Sequence, residues 1–322
     1  MSQGVTDQNV KRKNQAAFWT KWYVVFLAAL FCCVLWGSAP ASIKMGYRIF
    51  LIGESETASK ILFAGVRFTI AGLMVIAAGS VMQRHFLLPN RTSIGPVLVL
   101  MMLQTVLQYV FLYIGYSHTS GVRGSIITAA GTFFSIGLSC FVFRFEKLTA
   151  NKVLGSILGF AGVILVVTAG AQESGGGVSF FGEGFMTLSA LSSALAGCFI
   201  KLFSKKADPV LLSGWQFFFG GLFMTAAGLL AGGHLTFTTA ACTPLLIYLG
   251  FISAGAYTVW GILLKYNDVS RITILGFMNP LTGVILSALI LHEQSEALSL
   301  TGLLALVLVC TGIWTANRRS AV

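Results

Sequence analysis

Long apolar runs alternate along the chain with short polar or glycine-rich breaks. The runs repeatedly reach the ~20 residues that a helix needs to cross ~30 Å of hydrocarbon at ~1.5 Å rise per residue. Breaking the chain at its punctuation predicts ten spans, over residues 22–42, 60–82, 95–116, 124–143, 150–170, 182–203, 209–231, 243–264, 270–291 and 298–316. The expected fold class is therefore all-α integral membrane. An even number of spans puts both termini on one side.

Composition strengthens this reading. The chain is 56% hydrophobic and 10% charged, against roughly 25% charged in a soluble domain. Such a chain cannot cover a water-facing surface. The formal charge of +11 raises the question of nucleic acid, but the Lys and Arg residues sit between apolar runs instead of gathering on one face, so no nucleic-acid partner is expected. Of the 21 basic residues, only Lys44, Arg48, Lys60 and Arg123 fall in segments opposite the N-terminal side, and Arg67 falls within a span. The positive-inside rule then makes both termini cytoplasmic. Cys32, Cys33, Cys140, Cys198 and Cys310 lie in apolar runs and Cys242 near a surface, with no C-x-x-C pair. Neither disulfide, metal nor cofactor is expected. The first apolar run is too long for a signal peptide and reads as a retained helix.

An internal repeat divides the chain. At an offset of 147 residues Val122, Glu146 and Gly155 match Val269, Glu293 and Gly302, and Phe133 falls opposite Pro280. At an offset of 149, Gly65, Phe68, Gly72 and Leu73 match Gly214, Phe217, Gly221 and Leu222, with Arg67 opposite Gln216. Ile43-Lys44 and Ile200-Lys201 close the first and sixth spans. The expected organisation is a tail over 1–21, a first five-helix repeat over 22–171, a Gly-rich linker over 172–181, a second repeat over 182–317 and a tail over 318–322. Five spans is an odd number, so the second repeat enters the membrane inverted. Inverted repeats are the architecture by which secondary transporters place a site near the midplane and expose it alternately to either side.

Four motifs now carry a resemblance. Trp36-Gly37-Ser38 with Lys44, Val66-Arg67-Phe68 with Ala71-Gly72, Phe145-Glu146-Lys147-Leu148-Thr149 before Gly155, Gly159 and Gly162, and Asn279-Pro280 followed by Glu293 and Gly302 recur in order through both halves. Together they resemble the drug/metabolite transporter superfamily, in its ten-span EamA-type branch. The resemblance implies export or exchange of small metabolites through a central cavity lined by most helices except the fifth and tenth. One departure stands out: the family commonly has a proline in the fourth span, where this chain has Gly131-Thr132-Phe133, which puts a kink there in question.

Candidate solute-binding residues follow from polar groups inside the spans. Arg67 is costly in lipid, so it either pairs with a carboxylate on the solute, snorkels to the interface or bonds a helix carbonyl. Gln104 and Gln108, with Tyr109, form a polar stripe in the third span. Thr132, Ser135, Ser189, Ser193, Gln216 and Asn279 are further polar candidates, and Trp36, Trp215, Tyr257 and Trp260 are candidate walls. Trp19, Trp22 and Trp314 read as interface anchors. Glu146 and Glu293, at span ends, read as groups that hold turns or neutralise nearby basic groups. No Asp or Glu falls in the middle of a span, so facilitated or exchange transport is expected. Gly155, Gly159 and Gly162 make a small-residue face suited to packing against the repeat partner, leaving a monomer or weak homodimer.

A membrane enzyme would need a constellation of acids, nucleophiles or metal ligands, and the four histidines are scattered. A channel would need a charged ring or carbonyl filter. The expected partners are a small solute and membrane lipid, the expected site the bacterial inner membrane, and an amino acid or related zwitterion the favoured solute.

Overall fold

The computed structural model describes residues 17–145, 147–173, 178–267, 272 and 275–317. The expected roles of Glu146, the glycines of the linker, Asp268, Arg271 and the terminal basic residues fall outside the described residues. The chain folds as a row of antiparallel helices: α1 (Trp22–Ile49), α2 (Thr57–Gln83), α3 (Arg91–His118), α4 (Gly121–Val142), α5 (Ala150–Glu173), α6 (Phe180–Phe203), α7 (Pro209–Leu230), α8 (Cys242–Tyr266), α9 (Leu275–Leu291) and α10 (Leu300–Asn317). Nine of these are long and apolar enough to cross a bilayer, and α9 is a shorter apolar helix. The outward faces carry large bare hydrophobic side chains such as Leu154, Ile157 and Ile164 on α5 and Leu300, Leu304 and Val307 on α10. Such a surface belongs in lipid, and the protein is a multi-pass membrane protein.

Local signals set the helix ends. Asp208 caps α7, its carboxylate accepting from the amides of Val210 and Leu211, and Pro209 occupies the first turn where no backbone donor is needed. Asn90 and Ser93 close a reciprocal capping box, so α3 begins at Arg91 instead of near 95. Helix α1 runs past Pro40 to Ile49, not ending near 42, because Ile43, Gly46 and Tyr47 are all buried and reward its continuation. Pro40 lacks the N–H that would reach the carbonyl of Trp36, which loosens α1 beside that residue. Helix α5 continues through Glu173, two residues into the expected linker.

Several helices depart from regular α geometry where they meet the interior. In α3 a wide π-helical stretch covers Met101–Leu107, and another covers Leu138–Val142 in α4. Although α4 has no proline, it is interrupted at Ala129, with i→i−3 bonds from Ala129 to Ile126 and from Thr132 to Ala129. A break thus stands beside Gly131-Thr132-Phe133 after all. In α9 a tight 3₁₀ turn over Leu275–Phe277 precedes Met278–Leu291. Pro280 lies in the first turn after it, where its missing donor costs little.

The two most extensive helix pairings between the halves obey the inverted symmetry. On α2 a Cβ at Gly65 would lie 2.4 Å from the Thr225 amide, and on α7 its repeat counterpart Gly214 meets Ile76, the counterpart of Thr225. Gly72 meets the backbone of Phe218, and Gly221 meets that of Thr69, by the same exchange of partners. The pseudo-twofold axis therefore crosses the α2–α7 contact near Ile70 and Ala71. On the far side of the molecule Gly155 packs against Gly312 and Ala316, and Gly162 against Ala305. On α5, Gly155 and Gly162 face α10, its repeat partner, while Gly159 also receives the Phe133 ring of α4.

Candidate functional site

A cavity of about 1930 Å³ enters between the two halves from the face that carries Trp19 and Asn317. Its mouth includes His85, Lys152, Lys201 and Asp208. Along α6 the lining runs from Ser204 at the mouth to Ser189 inside, about 22 Å of helix at ~1.5 Å per residue. Along α3 it follows Gln104, Gln108, Leu112 and Tyr116, a stripe that repeats every fourth residue. Helices α1, α2, α3, α4, α6, α8 and α9 all contribute to the inner wall, while α5 and α10 reach only the mouth.

Nine of the ten expected binding residues line this cavity: Trp36, Arg67, Gln104, Gln108, Thr132, Ser193, Tyr257, Trp260 and Asn279. Gln216 does not. It is fully buried behind the wall, where its side-chain amide donates to Oε1 of Gln104. Gln104 in turn donates to the Tyr257 hydroxyl at 3.2 Å. Trp215, a candidate wall residue, instead donates from its indole to the Leu87 carbonyl at 2.7 Å. Trp19, expected as an interface anchor, stands at the cavity mouth, and its carbonyl accepts from the Asn267 side chain. Cys242, expected near a surface, is buried at the start of α8.

Arg67 does not snorkel. Only 1% of it is exposed, and its guanidinium binds three neutral acceptors: the Leu249 carbonyl (3.0 Å), the Tyr113 hydroxyl (2.9 Å) and the Ser253 hydroxyl (3.1 Å). The rings of Phe68 and Tyr109 stand 4.8 and 5.5 Å from its central carbon. The carbonyl bond was one expected option, but the hydroxyl and ring partners were not foreseen. Arg67 thus fastens α2 to α3 and α8 while holding a positive charge at the cavity wall. The Arg67–Ser253 bond and the Gln216–Gln104 bond join counterpart positions of the two repeats, so the same crossing is built twice with different chemistry.

Trp36, Tyr257 and Trp260 form one wall, with the Trp36 ring edge-on to Tyr257 at 5.6 Å and to Trp260 at 5.3 Å. Polar groups that the expected set did not include, Tyr116, Ser125 and Thr128, lie deeper. The four-residue stripe on α3 was the sequence signal for Tyr116, and for Ser125 and Thr128 it was their helical spacing on α4 with Thr132 and Ser135.

Beyond them the cavity is shut. The Tyr47 hydroxyl donates to the Tyr113 carbonyl at 2.6 Å, and Phe50 and Phe63 pack beside them. Lys60, fully buried, donates to the Ser117 hydroxyl at 2.9 Å and to the Glu54 carbonyl. The Glu293 carboxylate accepts from the Gly121 and Val122 amides (3.1 and 2.9 Å) and stands 3.8 Å from the Lys44 ammonium. It neutralises the N-terminus of α4, where a carboxylate is favoured. Glu296 pairs with Arg123 and accepts from the Ser120 hydroxyl at 2.9 Å. Burial pushes the Glu296 carboxyl up, against the opposing pull of Ser120 and Arg123.

The EamA-like transporter family matches this chain over residues 22–168 and again over 180–318. An uncharacterized transporter of Bacillus subtilis, YvbV, is 28% identical over 81% of this chain and 83% of its own length. A probable amino-acid metabolite efflux pump of Escherichia coli is 26% identical over 89% of this chain and 92% of its own, and one of Salmonella typhimurium is 27% identical over 89% and 92%. A protein crystal structure covering 91% of this chain and 96% of its own superposes with a TM-score of 0.59 at 17% identity, which shows a shared fold.

Proposed function

Because this chain belongs to the EamA-like transporter family, we propose that it is a secondary carrier that exports or exchanges a small zwitterion, an amino acid or close relative, across the bacterial inner membrane. The observation that carries this reading is the blind cavity: it is framed by both inverted repeats, open at one face and sealed at the other by the Glu293 and Glu296 contacts. Alternating access needs a site of this kind, because a through-pore would not couple binding to a change of face.

The chemistry of the wall supports the solute class. Lys152, Lys201 and Asp208 stay at the mouth, and the inner wall offers amides, hydroxyls, aromatic rings and Arg67. The Arg67 bonds go to neutral acceptors, so its charge favours a carboxylate on the solute, while the rings suit an apolar part. Two similar proteins bear the name of amino-acid metabolite efflux pumps. The open face carries most of the basic residues, so the positive-inside rule makes it cytoplasmic, and the cavity loads from the cytoplasm. Exchange, without obligatory proton coupling, fits an inner wall that has no carboxylate among the described residues.

The test is counterflow. Purified protein in liposomes preloaded with unlabelled L-leucine is expected to accelerate uptake of the labelled compound. Uptake that ignores the internal amino acid would mean a channel, and no uptake of any amino acid would remove the solute class.

A further inference from the structure

We infer that the cavity is two-faced across its own pseudo-twofold axis and holds its solute in one orientation, a bulky apolar end against Trp36, Tyr257 and Trp260 and a hydrogen-bonding head against Gln108, Thr132 and Ser193. The inference rests on the carrier reading above and deepens it, naming an amino acid or similar zwitterion with a bulky apolar side chain.

The repeat itself supplies the argument. In the register that aligns Ile43-Lys44 with Ile200-Lys201, Trp36 on α1 falls opposite Ser193 on α6. At the 149-residue offset Tyr257 on α8 falls opposite Gln108 on α3, and at the 147-residue offset Asn279 on α9 falls opposite Thr132 on α4. The structure supports these registers. Met278 of α9 shares a buried cluster with Cys33 of α1, and at the matching crossing of α4 with α6 a Cβ on Gly131, the counterpart of Met278, would lie 3.2 Å from the carbonyl of Ala190, the counterpart of Cys33. Gly250 of α8 meets Ile70 and Ala71 of α2 as Met101 of α3 meets Gly220 of α7. All six side chains line the one cavity.

A backbone with twofold symmetry would give two like walls if the side chains followed it. Here they do not. One wall stacks indole and phenol rings edge to face, and the Tyr257 hydroxyl is already engaged by Gln104, so the ring is what remains for a solute. At the counterpart positions of Tyr257 and Trp36 stand an amide and a small hydroxyl, and the counterpart of Trp260, Phe111, packs against Phe185 and does not line the cavity. Gln108 is 8% exposed and its Oε1 has no hydrogen-bond partner. A buried amide oxygen of that kind calls for a donor, and the ammonium of a zwitterion supplies one. Turning the solute end for end would set its carboxylate against the electron-rich ring faces and leave the Gln108 oxygen against hydrocarbon, losses that an ammonium contact with the rings offsets only in part, so one orientation is favoured.

The experiment uses the full chain in liposomes with tritiated L-phenylalanine and L-serine as counterflow probes. The unmodified protein is expected to favour L-phenylalanine. Trp36→Ser should weaken half-saturation for L-phenylalanine by about tenfold and for L-serine by less than about twofold. Gln108→Leu, of similar volume, should weaken both probes alike. The double variant Trp36→Ser with Ser193→Trp moves the indole to its symmetry-related position at constant composition. An oriented cavity leaves L-phenylalanine weak in that variant, whereas a cavity that reads only volume recovers it. Recovery in the swap, equal loss of both probes in Trp36→Ser, or no effect of Gln108→Leu would overturn the inference while leaving the carrier intact. Absence of counterflow with both probes in the unmodified protein removes the amino-acid solute class and the inference with it, and leaves the carrier reading to other solutes.

Discussion

Arg67 shows how much a single side chain can and cannot announce. An arginine in an apolar run is conspicuous, and its cost in lipid required that it find partners. Which partners it finds is a property of the folded molecule: Tyr113 lies 46 residues along the chain, Leu249 and Ser253 lie 182 and 186 away. Lysine would keep the charge but offers one compact ammonium in place of a planar fork. Arg67→Lys is expected to lose at least one of the three bonds, about 1.5–3 kcal/mol for a bond to a charged group, and to lower the thermal midpoint of the detergent-solubilised protein by several degrees. An unchanged midpoint would mean that the guanidinium does not fasten α2 to α3 and α8. Gln104 and Gln216 teach the same lesson in reverse. Both were legible as polar groups inside spans, yet only contact between α3 and α7 reveals that one faces the cavity and the other supports it.

Among the helices, glycine spacing was the most informative sequence signal, because it marked the α5–α10 contact before any geometry was known and set matching glycines on α2 and α7 whose contact only the fold reveals. Its consequence is sharp. A side chain at Gly72 would collide with the backbone of Phe218, 2.4 Å from its amide nitrogen, which cannot move aside as a flexible side chain can. Gly72→Val should abolish recovery of monodisperse protein, whereas Gly197→Ala, with nothing within 4 Å, should be recovered normally and gain slightly in helix propensity, by ~1 kcal/mol at most. Size-exclusion profiles distinguish the two. Helix irregularity was less legible. The interruption at Ala129 has no proline to signal it, and it arises where α4 must accommodate both the cavity and its contact with α6. The short seal is a third matter of helix ends. Glu293→Gln keeps one acceptor for the α4 amides but discards the charge that complements both that N-terminus and Lys44. Labelling of an introduced Ser287→Cys, buried just behind this contact, by a membrane-impermeant maleimide should accelerate when Glu293→Gln is added. Equal labelling rates in both backgrounds would assign the seal to the aromatic packing around Tyr47 and Tyr113 instead.

For the molecule as a whole, the span count and the inverted repeat were legible because each depends on a summed property: hydropathy over twenty or so residues, or spacing maintained over a hundred. The cavity came only through the family resemblance, since it exists only where seven helices converge. Its opening at the face of Trp19 and Asn317 could not be read from the chain at all, because either face of an inverted repeat satisfies the same sequence. The arrangement requires that the end of α2 and the end of α10 share one side. Single cysteines replacing Arg84 and Asn317 should therefore react with an impermeant reagent only in inside-out vesicles, and reaction of the two from opposite sides would dissolve the inverted pairing of the repeats.

The interlocked crossing of α2 and α7 bears on how such a molecule can move. Backbone lies within 3 Å of where side chains would begin at Gly65, Gly72 and Gly221, so neither helix can ratchet along the other without lifting out of contact. What the crossing leaves free is rotation about the line through its centre, like scissor blades on a rivet. A swing of that kind would spread the ends of the bundle that are now pressed together and draw in those that now stand apart, and the rivet itself would hardly shift.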